Sequence, residues 1–350
     1  MGVWVTHPHS CFAASANETK SHSFTFVKVG KLVNYLLIWM EKEQKWRIIT
    51  IFAQEKQTEG HNGLMPCTNR IAMIQKYADY IQQIEIDSLW SGQRHVKWDL
   101  DPHVNILSGV NGVGKSTILN KVVKGLVKGG EYQGNLLPGV RLKVFPEDAT
   151  WVRYDVVRSF DRPLMSSESV SKIVDASVVT ELDWQLYQLQ RKYLDYQVNI
   201  GNRIIDVLQK GGPDAAAEAQ LISAAKKKFQ DLVDSLFAET GKSLVRSCNE
   251  IVFSQIGEQL TPYQLSSGEK QMLVILLTVL IEDNRPYVLF MDEPEVSLHI
   301  DWQQRLIEMV KSLNPHVQII LTTHSPAVIM NGWMDKVTEV SDILVEEHVR

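Results

Sequence analysis

The chain alternates between short apolar runs and longer stretches in which apolar residues recur every three or four positions. Residues 81–89 and 95–100 predict the two strands of a hairpin turned at Ser91-Gly92, and residues 104–107 predict the next strand. Further strands are predicted at residues 150–160, 251–254, 287–295 and 317–321. Helical stretches separate several of these strands, so the pattern predicts an α/β fold.

Residues 166–248 are predicted to be helical throughout. A first apolar stripe has heptad-like spacing and comprises Leu182, Leu186, Leu189, Tyr193, Tyr196, Ile200, Ile204 and Leu208. Gly211-Gly212-Pro213 breaks this helix, and the proline is placed to open a second one, whose stripe is Leu221, Ala225, Phe229, Leu232 and Leu236. Two antiparallel helices of about 25–30 residues would extend for about 40 Å. They either cover the rest of the domain, which a short apolar stripe favours, or form an arm that grips a partner.

Residues 1–72 show no persistent period. Strands are conceivable at residues 24–29 and 50–53, but Ser, Asn, His and Gly clusters interrupt them. This segment is either a small extra domain or, as we favour, an extension that the fold does not need. We therefore expect the functional domain to start at Met73.

Composition and charge narrow the class of protein. The 350 residues are 44% hydrophobic and 22% charged, as in a soluble globular protein, and the net charge of −5 gives no general attraction to nucleic acid. Any contact with DNA would need a local basic patch. Cys11, Cys67 and Cys248 form no C-x-x-C pair, so neither a disulfide framework nor a zinc site is indicated. Without a signal peptide or a membrane-length apolar run, we expect a cytoplasmic protein with no membrane partner.

The stretch GVNGVGKST at residues 109–117 lies between a predicted strand and a predicted helix. It fits the phosphate-binding loop G-x-x-x-x-G-K-[ST], whose glycines leave backbone N–H groups free to wrap a polyphosphate. Lys115 would reach the β- and γ-phosphates and serve catalysis, and Ser116 would ligate Mg²⁺. The predicted ATP contacts of this loop are Gly109, Asn111, Gly112, Val113, Gly114, Lys115, Ser116 and Thr117.

A second anion site is predicted at LSSGEKQ, residues 265–271, which opens a long apolar helix ending near Ile281. Serines and a glycine at a helix start combine free N–H groups, hydroxyl donors and the positive end of the helix dipole. An ordinary N-cap would need only one of these residues. The predicted nucleotide contacts here are Ser266, Ser267, Gly268 and Glu269.

Acidic and histidine side chains end two of the buried strands. YVLFMDEPE, residues 287–295, places Asp292 at the carboxyl edge of the sheet beside Mg²⁺, and Glu293 one residue on can polarise a water for in-line attack. The strand at residues 317–321 ends in TTHSP, which puts His324 at the same edge. We predict Glu293, His324 and Lys115 as the catalytic residues.

Four motifs in this order, GVNGVGKST, LSSGEKQ, MDEP and TTHS, resemble those of the ABC-type ATPase superfamily over residues 80–333. The resemblance implies an α/β P-loop NTPase fold: an ABC-type ATPase head with a mixed sheet and a helical subdomain or short antiparallel helical arm. The head would comprise residues 73–165 with the Walker A loop, a helical insertion at 166–248, and residues 249–350 with the signature motif, Walker B and switch histidine. It also implies that LSSGEKQ contacts the γ-phosphate of ATP held by another subunit, so two copies would form a homodimer around ATP. His324 resembles the switch histidine that hydrogen-bonds the γ-phosphate.

The wording DEPEVSLHIDWQ, residues 292–303, narrows the resemblance. Transport ATPases usually carry an aspartate where this chain has His299, and the pattern is instead similar to OLD/RecF-like soluble bacterial ATPases of the AAA family, many of which serve in DNA repair or phage defence. The Q-loop residue is unassigned, because no glutamine lies between Gln133 and Gln185; Asp161 is only a weak candidate.

One feature of OLD-type nucleases is expected to be absent. Only 26 residues follow His324, too few for their Toprim nuclease domain. The resemblance therefore implies that a separate effector protein receives a conformational change. Three functions compete: a regulatory ATPase paired with such an effector, a DNA-binding repair ATPase, and the motor of a membrane transporter, which His299 and the missing glutamine disfavour.

Overall fold

The computed structural model describes residues 24–28, 34–40, 45–51, 76–89, 94–126, 135–137, 139–158 and 178–345. The chain divides into two compact units, Met1–Ile71 and Ala72–Arg350. The first unit contains an antiparallel sheet of strands β1 (Phe24–Lys28), β2 (Asn34–Met40) and β3 (Lys45–Ile51) in that order. Strand β2 is largely apolar, but no strand was predicted there from the sequence. No helix in the described part of the chain is long and apolar enough to cross a membrane.

An antiparallel sheet opens the second unit. Its strands, in the order β16-β5-β4-β8-β7, are β4 (Tyr80–Leu89), β5 (Arg94–Asp99), β7 (Asn135–Leu137), β8 (Val140–Phe145) and β16 (Leu344–Val345). The pairing of β4 with β5 is antiparallel, as the predicted hairpin requires.

A parallel sheet carries the predicted nucleotide motifs. Its strands, in the order β15-β6-β14-β13-β9, are β6 (Val104–Ser108), β9 (Tyr154–Arg158), β13 (Tyr287–Asp292), β14 (Val317–Thr322) and β15 (Val337–Glu339). Every side chain of β13 and β14 is buried, as expected for central strands covered on both faces. Because all five strands are parallel, their carboxyl ends share one edge, which is where ligands bind in open α/β sheets.

Gln318 joins the two sheets although its side chain is fully buried. Its Oε1 accepts a hydrogen bond from the Ile81 N–H at 2.8 Å, and its Nε2 donates to the carbonyl oxygens of Ile81 and Asp101 at 2.8 and 2.9 Å. A buried amide is tolerated when its donors and acceptor are paired in this way. The side chain thus fixes the antiparallel sheet against strand β14.

Helices cover both sheets. They are α1 (Lys115–Gly125), α2 (Glu181–Lys210), α3 (Ala215–Phe237), α4 (Ser267–Ile281), α5 (Ile300–Leu313), α6 (Pro326–Met330) and α7 (Val340–Ile343). The core of helix α4 is buried on all sides, from Glu269 to Leu280. A helix that is apolar all round must lie inside the molecule, and α4 packs against α2, α3 and α5.

The two predicted helices of the insertion are α2 and α3. Thr180 and Asp183 form a capping box that starts α2, and the apolar stripe from Leu182 to Ile200 is buried. Ile204 and Ala225 are partly buried against the core, but the stripe positions nearest the connection between the helices are not: Leu208 is 54% exposed and Leu221 is 75% exposed. Between residues 201 and 228 no side chain is buried. The helices therefore cover the head at one end of the pair, while their connected ends are exposed.

The end of the insertion differs from the prediction of helix through residue 248. Strand β10 (Lys242–Leu244) pairs with β11 (Phe253–Gln255), which pairs with β12 (Glu258–Leu260), in a small antiparallel sheet. Strands of three residues are too short to show a period, so pairing with neighbours decides their structure.

Candidate nucleotide site

The loop between β6 and α1 has the backbone conformation that its glycines allow. Gly112 and Gly114 have φ angles of 81° and 102°, in the left-handed region that side chains with a Cβ rarely adopt. Helix α1 begins at Lys115 directly after the loop. The N–H groups at a helix start and the amides of a glycine-rich loop are the groups that bind phosphate in such loops, and both occur together here.

Lys115 is buried and its ammonium group turns back toward the loop. The Lys115 Nζ atom lies 2.9 Å from the Gly109 carbonyl oxygen and 2.6 Å from the His324 Nε2 atom. Burial lowers the pKa of Lys115, although the carboxylates of Glu293, Asp292 and Glu295 counteract part of that shift. The lysine is therefore held where a phosphate wrapped by the loop would meet it.

Ser116 and Asp292 come together at the sheet edge, as their predicted roles as Mg²⁺ ligands require. The Ser116 hydroxyl donates to Asp292 Oδ1 at 2.9 Å, and Thr322 donates to the same oxygen at 2.6 Å. A hydroxyl and one carboxylate suit Mg²⁺, which prefers oxygen ligands and takes others from phosphates and water. Within the described residues, no group of three or more His, Cys, Asp or Glu side chains is placed to hold a metal alone.

Glu293 and His324 face each other across the ends of β13 and β14. The His324 Nε2 atom lies 3.2 Å from Glu293 Oε1. Glu293 has a φ angle of 49°, and its N–H donates to the Thr322 carbonyl oxygen at 3.1 Å. A non-glycine residue in this region is strained, and such strain concentrates at functional sites. The bend turns the Glu293 carboxylate toward His324 and Lys115.

The predicted signature motif, LSSGEKQ at residues 265–271, begins helix α4 with a capping box. Ser266 caps the helix, and the Glu269 carboxylate accepts hydrogen bonds from the Ser266 N–H and hydroxyl at 2.9 and 3.0 Å. Thr240 and Lys242 also donate to Glu269, at 2.9 and 2.8 Å. Burial alone would raise the pKa of Glu269, but these donors outweigh it and the pKa is lowered.

Glu269 thus differs from the sequence expectation of a nucleotide contact, because its carboxylate is buried and engaged inside the head. Ser266 and Ser267 are exposed, and Gly268 is partly exposed. A Cβ atom on Gly268 would overlap the carbonyl oxygen of Ser297 in the turn after β13. The hydroxyl of Ser266 is used by the capping box, so the motif offers the exposed Ser267 on a helix start that is packed against the turn after β13.

Two contacts at the site were not predicted: Thr322 binds Asp292, and Glu295 binds the His324 loop. Thr322 and Glu295 lie inside the motifs TTHS and DEPE, which were recognised in the sequence. The motifs do not show which side chain on the neighbouring strand each residue contacts. Asp161, the weak Q-loop candidate, lies outside the described residues.

Comparison with known proteins gives a family match and several relatives. The family model described as "AAA domain, putative AbiEii toxin, Type IV TA system" matches residues 146–331, more than half of the chain. The chain is similar to Septu protein PtuA from Bacillus thuringiensis, with 23% identity over 313 residues that cover 76% of this chain and 78% of the relative. It is also similar to the retron Vc95 probable ATPase from Vibrio cholerae serotype O1 biovar El Tor, with 21% identity, covering 43% of this chain and 32% of the relative. The chain thus spans about a third of the retron protein's length.

Solved structures with a similar arrangement include an Smc head bound to the C-winged helix domain of ScpA, with 16% identity and a TM-score of 0.43, covering 72% of this chain and 91% of that one. An SMC head domain from Thermotoga maritima has 14% identity and a TM-score of 0.38, covering 74% of this chain and 94% of that one. On the family match, this chain belongs to the AAA-domain family named above.

Proposed function

We propose that this chain is a regulatory ATPase that binds and hydrolyses ATP between two copies of itself and drives a separate effector protein. The observation that carries the proposal is the meeting of five predicted side chains at one sheet edge. Lys115 and Glu293 both approach His324, and Ser116 binds Asp292 alongside.

Each of these side chains suits one part of phosphoryl transfer. Lys115 and the loop amides bind the β- and γ-phosphates. Ser116 and Asp292 would hold Mg²⁺, which would neutralise charge on the phosphate oxygens. Glu293 accepts a proton from the water that attacks the γ-phosphorus, while the bond to ADP breaks. His324 donates a hydrogen bond to the γ-phosphate.

A second copy would complete the site. Ser267 is exposed at the start of α4, and its hydroxyl and the N–H groups of that helix start can donate to a γ-phosphate held by the partner copy. Exposed apolar side chains flank the motifs: Val110 in the loop is 75% exposed, and Val296 and Ile300 are 38% and 49% exposed. Apolar surface beside a catalytic motif is suited to burial in a dimer.

The comparisons support a role beside a separate effector. The chain is similar to Septu PtuA over most of both proteins, and the family description names a Type IV TA system. We assign the chain to the OLD/RecF-like ATPases, and to phage defence within that group, on the motif wording and these relatives. In this scheme the ATP state determines whether the effector is released or restrained.

The substitution Glu293→Gln tests the proposal. It removes the proton acceptor but keeps the shape of the side chain, so we expect the turnover number for ATP to fall about 100-fold or more. ATP should still bind, and the variant should accumulate as an ATP-bound dimer. Size-exclusion chromatography with light scattering, with ATP and with ADP, measures the assembly, and phosphate release measures hydrolysis.

Glu308→Gln is the matched control, because Glu308 is an exposed residue of α5 whose carboxylate binds Asn331 at 3.1 Å. It should hydrolyse ATP like the unaltered chain. A Glu293→Gln variant that hydrolyses ATP at the control rate, or that stays monomeric with ATP, contradicts the proposal.

A further inference from the structure

Glu295 is a buried acid that the proposed chemistry does not use. Its side chain is two residues beyond Glu293 and the residue is 9% exposed. The Oε1 atom accepts three hydrogen bonds: from the Thr323 hydroxyl at 2.6 Å, the His324 N–H at 2.8 Å and the Ser325 N–H at 3.2 Å. All three donors belong to the loop that carries His324.

The other oxygen of Glu295 makes the arrangement unusual. The Oε2 atom is buried and, among the described residues, has no hydrogen-bond partner. Burying a carboxylate is costly unless it is well paired, so packing alone would favour an apolar side chain at this position. Because three donors of the loop that carries His324 bind Oε1, we conclude that the carboxylate stabilises the conformation of this loop.

A second contact closes the turn after β13 onto the same loop. The Ser325 hydroxyl donates to Gln303 Oε1 at 2.6 Å, and Gln303 Nε2 donates to the Leu298 carbonyl oxygen at 2.9 Å. The backbone of His324 is therefore held from both sides, by Glu295 at its own N–H and by Gln303 through the next residue. With the backbone fixed, the imidazole is presented to Lys115 and Glu293.

We propose that Glu295 is a positioning residue that sets His324 against the reacting phosphate through three hydrogen bonds to the His324 loop. This inference rests on the proposed ATP hydrolysis. Because Glu295 acts through His324, its removal lowers turnover without weakening ATP binding, and it has no effect once His324 is gone. A general base would behave differently, since Glu295→Gln would then be as inactive as Glu295→Ala.

The experiment compares Glu295→Ala, Glu295→Gln and His324→Ala in the full chain, with Glu308→Gln as control. We expect Glu295→Ala to lower kcat about 10- to 100-fold while KM for ATP and the Kd of a fluorescent ATP analogue change by less than about threefold. Glu295→Gln keeps an acceptor oxygen for the three donors, so its kcat should stay within about fivefold of the unaltered chain. Thr323→Val removes one donor and should lower kcat by less than Glu295→Ala.

A double-mutant cycle separates positioning from general damage to the fold. Glu295→Ala combined with His324→Ala should have the kcat of His324→Ala alone, because residues that act through one another are not additive. If Glu295→Ala does not fold, as judged by its melting temperature, the same cycle is run with Thr323→Val. Multiplicative effects, or Glu295→Gln as inactive as Glu295→Ala, overturn the inference.

The controls distinguish this inference from the proposed function. If the unaltered chain does not hydrolyse ATP, or His324→Ala turns over at the normal rate, the proposed function fails and the role of Glu295 fails with it. If both of those behave as expected but Glu295→Ala retains normal kcat, only the positioning role is rejected.

Discussion

At the residue scale, two side chains, Lys115 and Glu293, both approach the same ring nitrogen of His324. The His324 Nε2 atom lies 2.6 Å from the Lys115 ammonium and 3.2 Å from Glu293 Oε1. That nitrogen can accept a hydrogen bond from the lysine ammonium or donate one to the glutamate carboxylate, but a single tautomer does not do both. A γ-phosphate among these groups would accept hydrogen bonds from lysine and histidine and leave Glu293 for the water. This group of side chains is therefore suited to rearrangement on binding ATP.

Because Gly268 has no Cβ atom, the start of helix α4 can pack closely against the turn after β13. Replacing this glycine gives a prediction at the residue scale. In Gly268→Ala the new methyl group would overlap the Ser297 carbonyl oxygen, so either α4 or the Walker B turn must move. We expect the free energy of unfolding to fall by about 1–3 kcal/mol, as for other overpacked sites, and kcat for ATP to fall with it. Urea denaturation and phosphate release measure the two effects.

Gly201→Ala is the control for this substitution. Gly201 lies within helix α2, and a Cβ atom there would meet nothing within 4 Å. Alanine is favoured over glycine inside a helix by about 1 kcal/mol, so this variant should be slightly more stable with unchanged turnover. Equal stability of the two variants would show that Gly268 does not need its close approach.

At the element scale, the carboxyl end of helix α4 meets strand β9 through a pair of acids. Burial raises the pKa of Glu282 to about 7, with a further contribution from Asp155 that Arg153 and Lys192 counteract. Burial raises the pKa of Asp155 as well, against the influence of Lys192. This end of the helix thus holds a proton that the unfolded chain would lose at lower pH.

Stability should therefore depend on pH in a definite direction. The folded chain binds the proton of Glu282 more tightly than the unfolded chain, whose ordinary pKa is 4.5, so the free energy of unfolding falls as pH rises from 4.5 to about 7. In Glu282→Gln this fall should shrink, and the variant should lose less stability than the unaltered chain between about pH 5 and pH 8. Urea denaturation at about pH 5 and pH 8 tests both points.

The exposed Glu258 on strand β12 provides the comparison for the pH experiment. Glu258→Gln removes the same charge from a solvated site and should leave the pH dependence unchanged. An unchanged slope in Glu282→Gln would mean that the acid pair does not hold the proton in the folded state.

Elements could be predicted where a local pattern sufficed. Strands β13 and β14 are continuous apolar runs with every side chain buried, and the stripe of α2 up to Ile200 identified a core-facing helix. The hydrophobic pattern did not predict burial or strand formation where these depend on contacts with neighbouring elements. Leu221 is the first residue of the second stripe yet is 75% exposed, because a period defines a helix face but not how far the facing element extends. Strand β10 exists only through its pairing with β11.

The candidate site shows the same division. Each of the motifs GVNGVGKST, MDEP and TTHS can be recognised within a few consecutive residues. The motifs lie at the ends of strands β6, β13 and β14, and the carboxyl ends of these neighbouring parallel strands lie together. The roles of Thr322 and Glu295 depend on β13 and β14 being adjacent strands, which no single motif states. Glu269 resembled a ligand because it lies in the signature motif, but its capping box and the nearby Lys242 turn it inward.

At the scale of the whole molecule, the pairing of the strands indicates which part of the chain can fold alone. The strands β4 to β16 form three sheets within Ala72–Arg350, and β1 to β3 pair only with one another among the described residues. A fragment from Met73 to Arg350 should therefore fold, with a melting temperature within about 3 °C of the full chain. Its kcat for ATP should also be unchanged. Circular dichroism and phosphate release measure these properties.

A fragment from Arg94 to Arg350 sharpens this test, because it loses β4 together with the short segment before it, which hydrogen-bonds to Thr150 and Trp151. Strand β4 pairs with β5 on one side and β8 on the other, and its buried side chains Ile81, Ile84 and Ile86 belong to the core. Losing a central strand removes two ladders and leaves the buried Gln318 without its Ile81 partners, so this fragment should not fold. If the Met73 fragment also fails to fold or to bind nucleotide, the first 72 residues contribute to the head, and the expectation that they are dispensable is wrong.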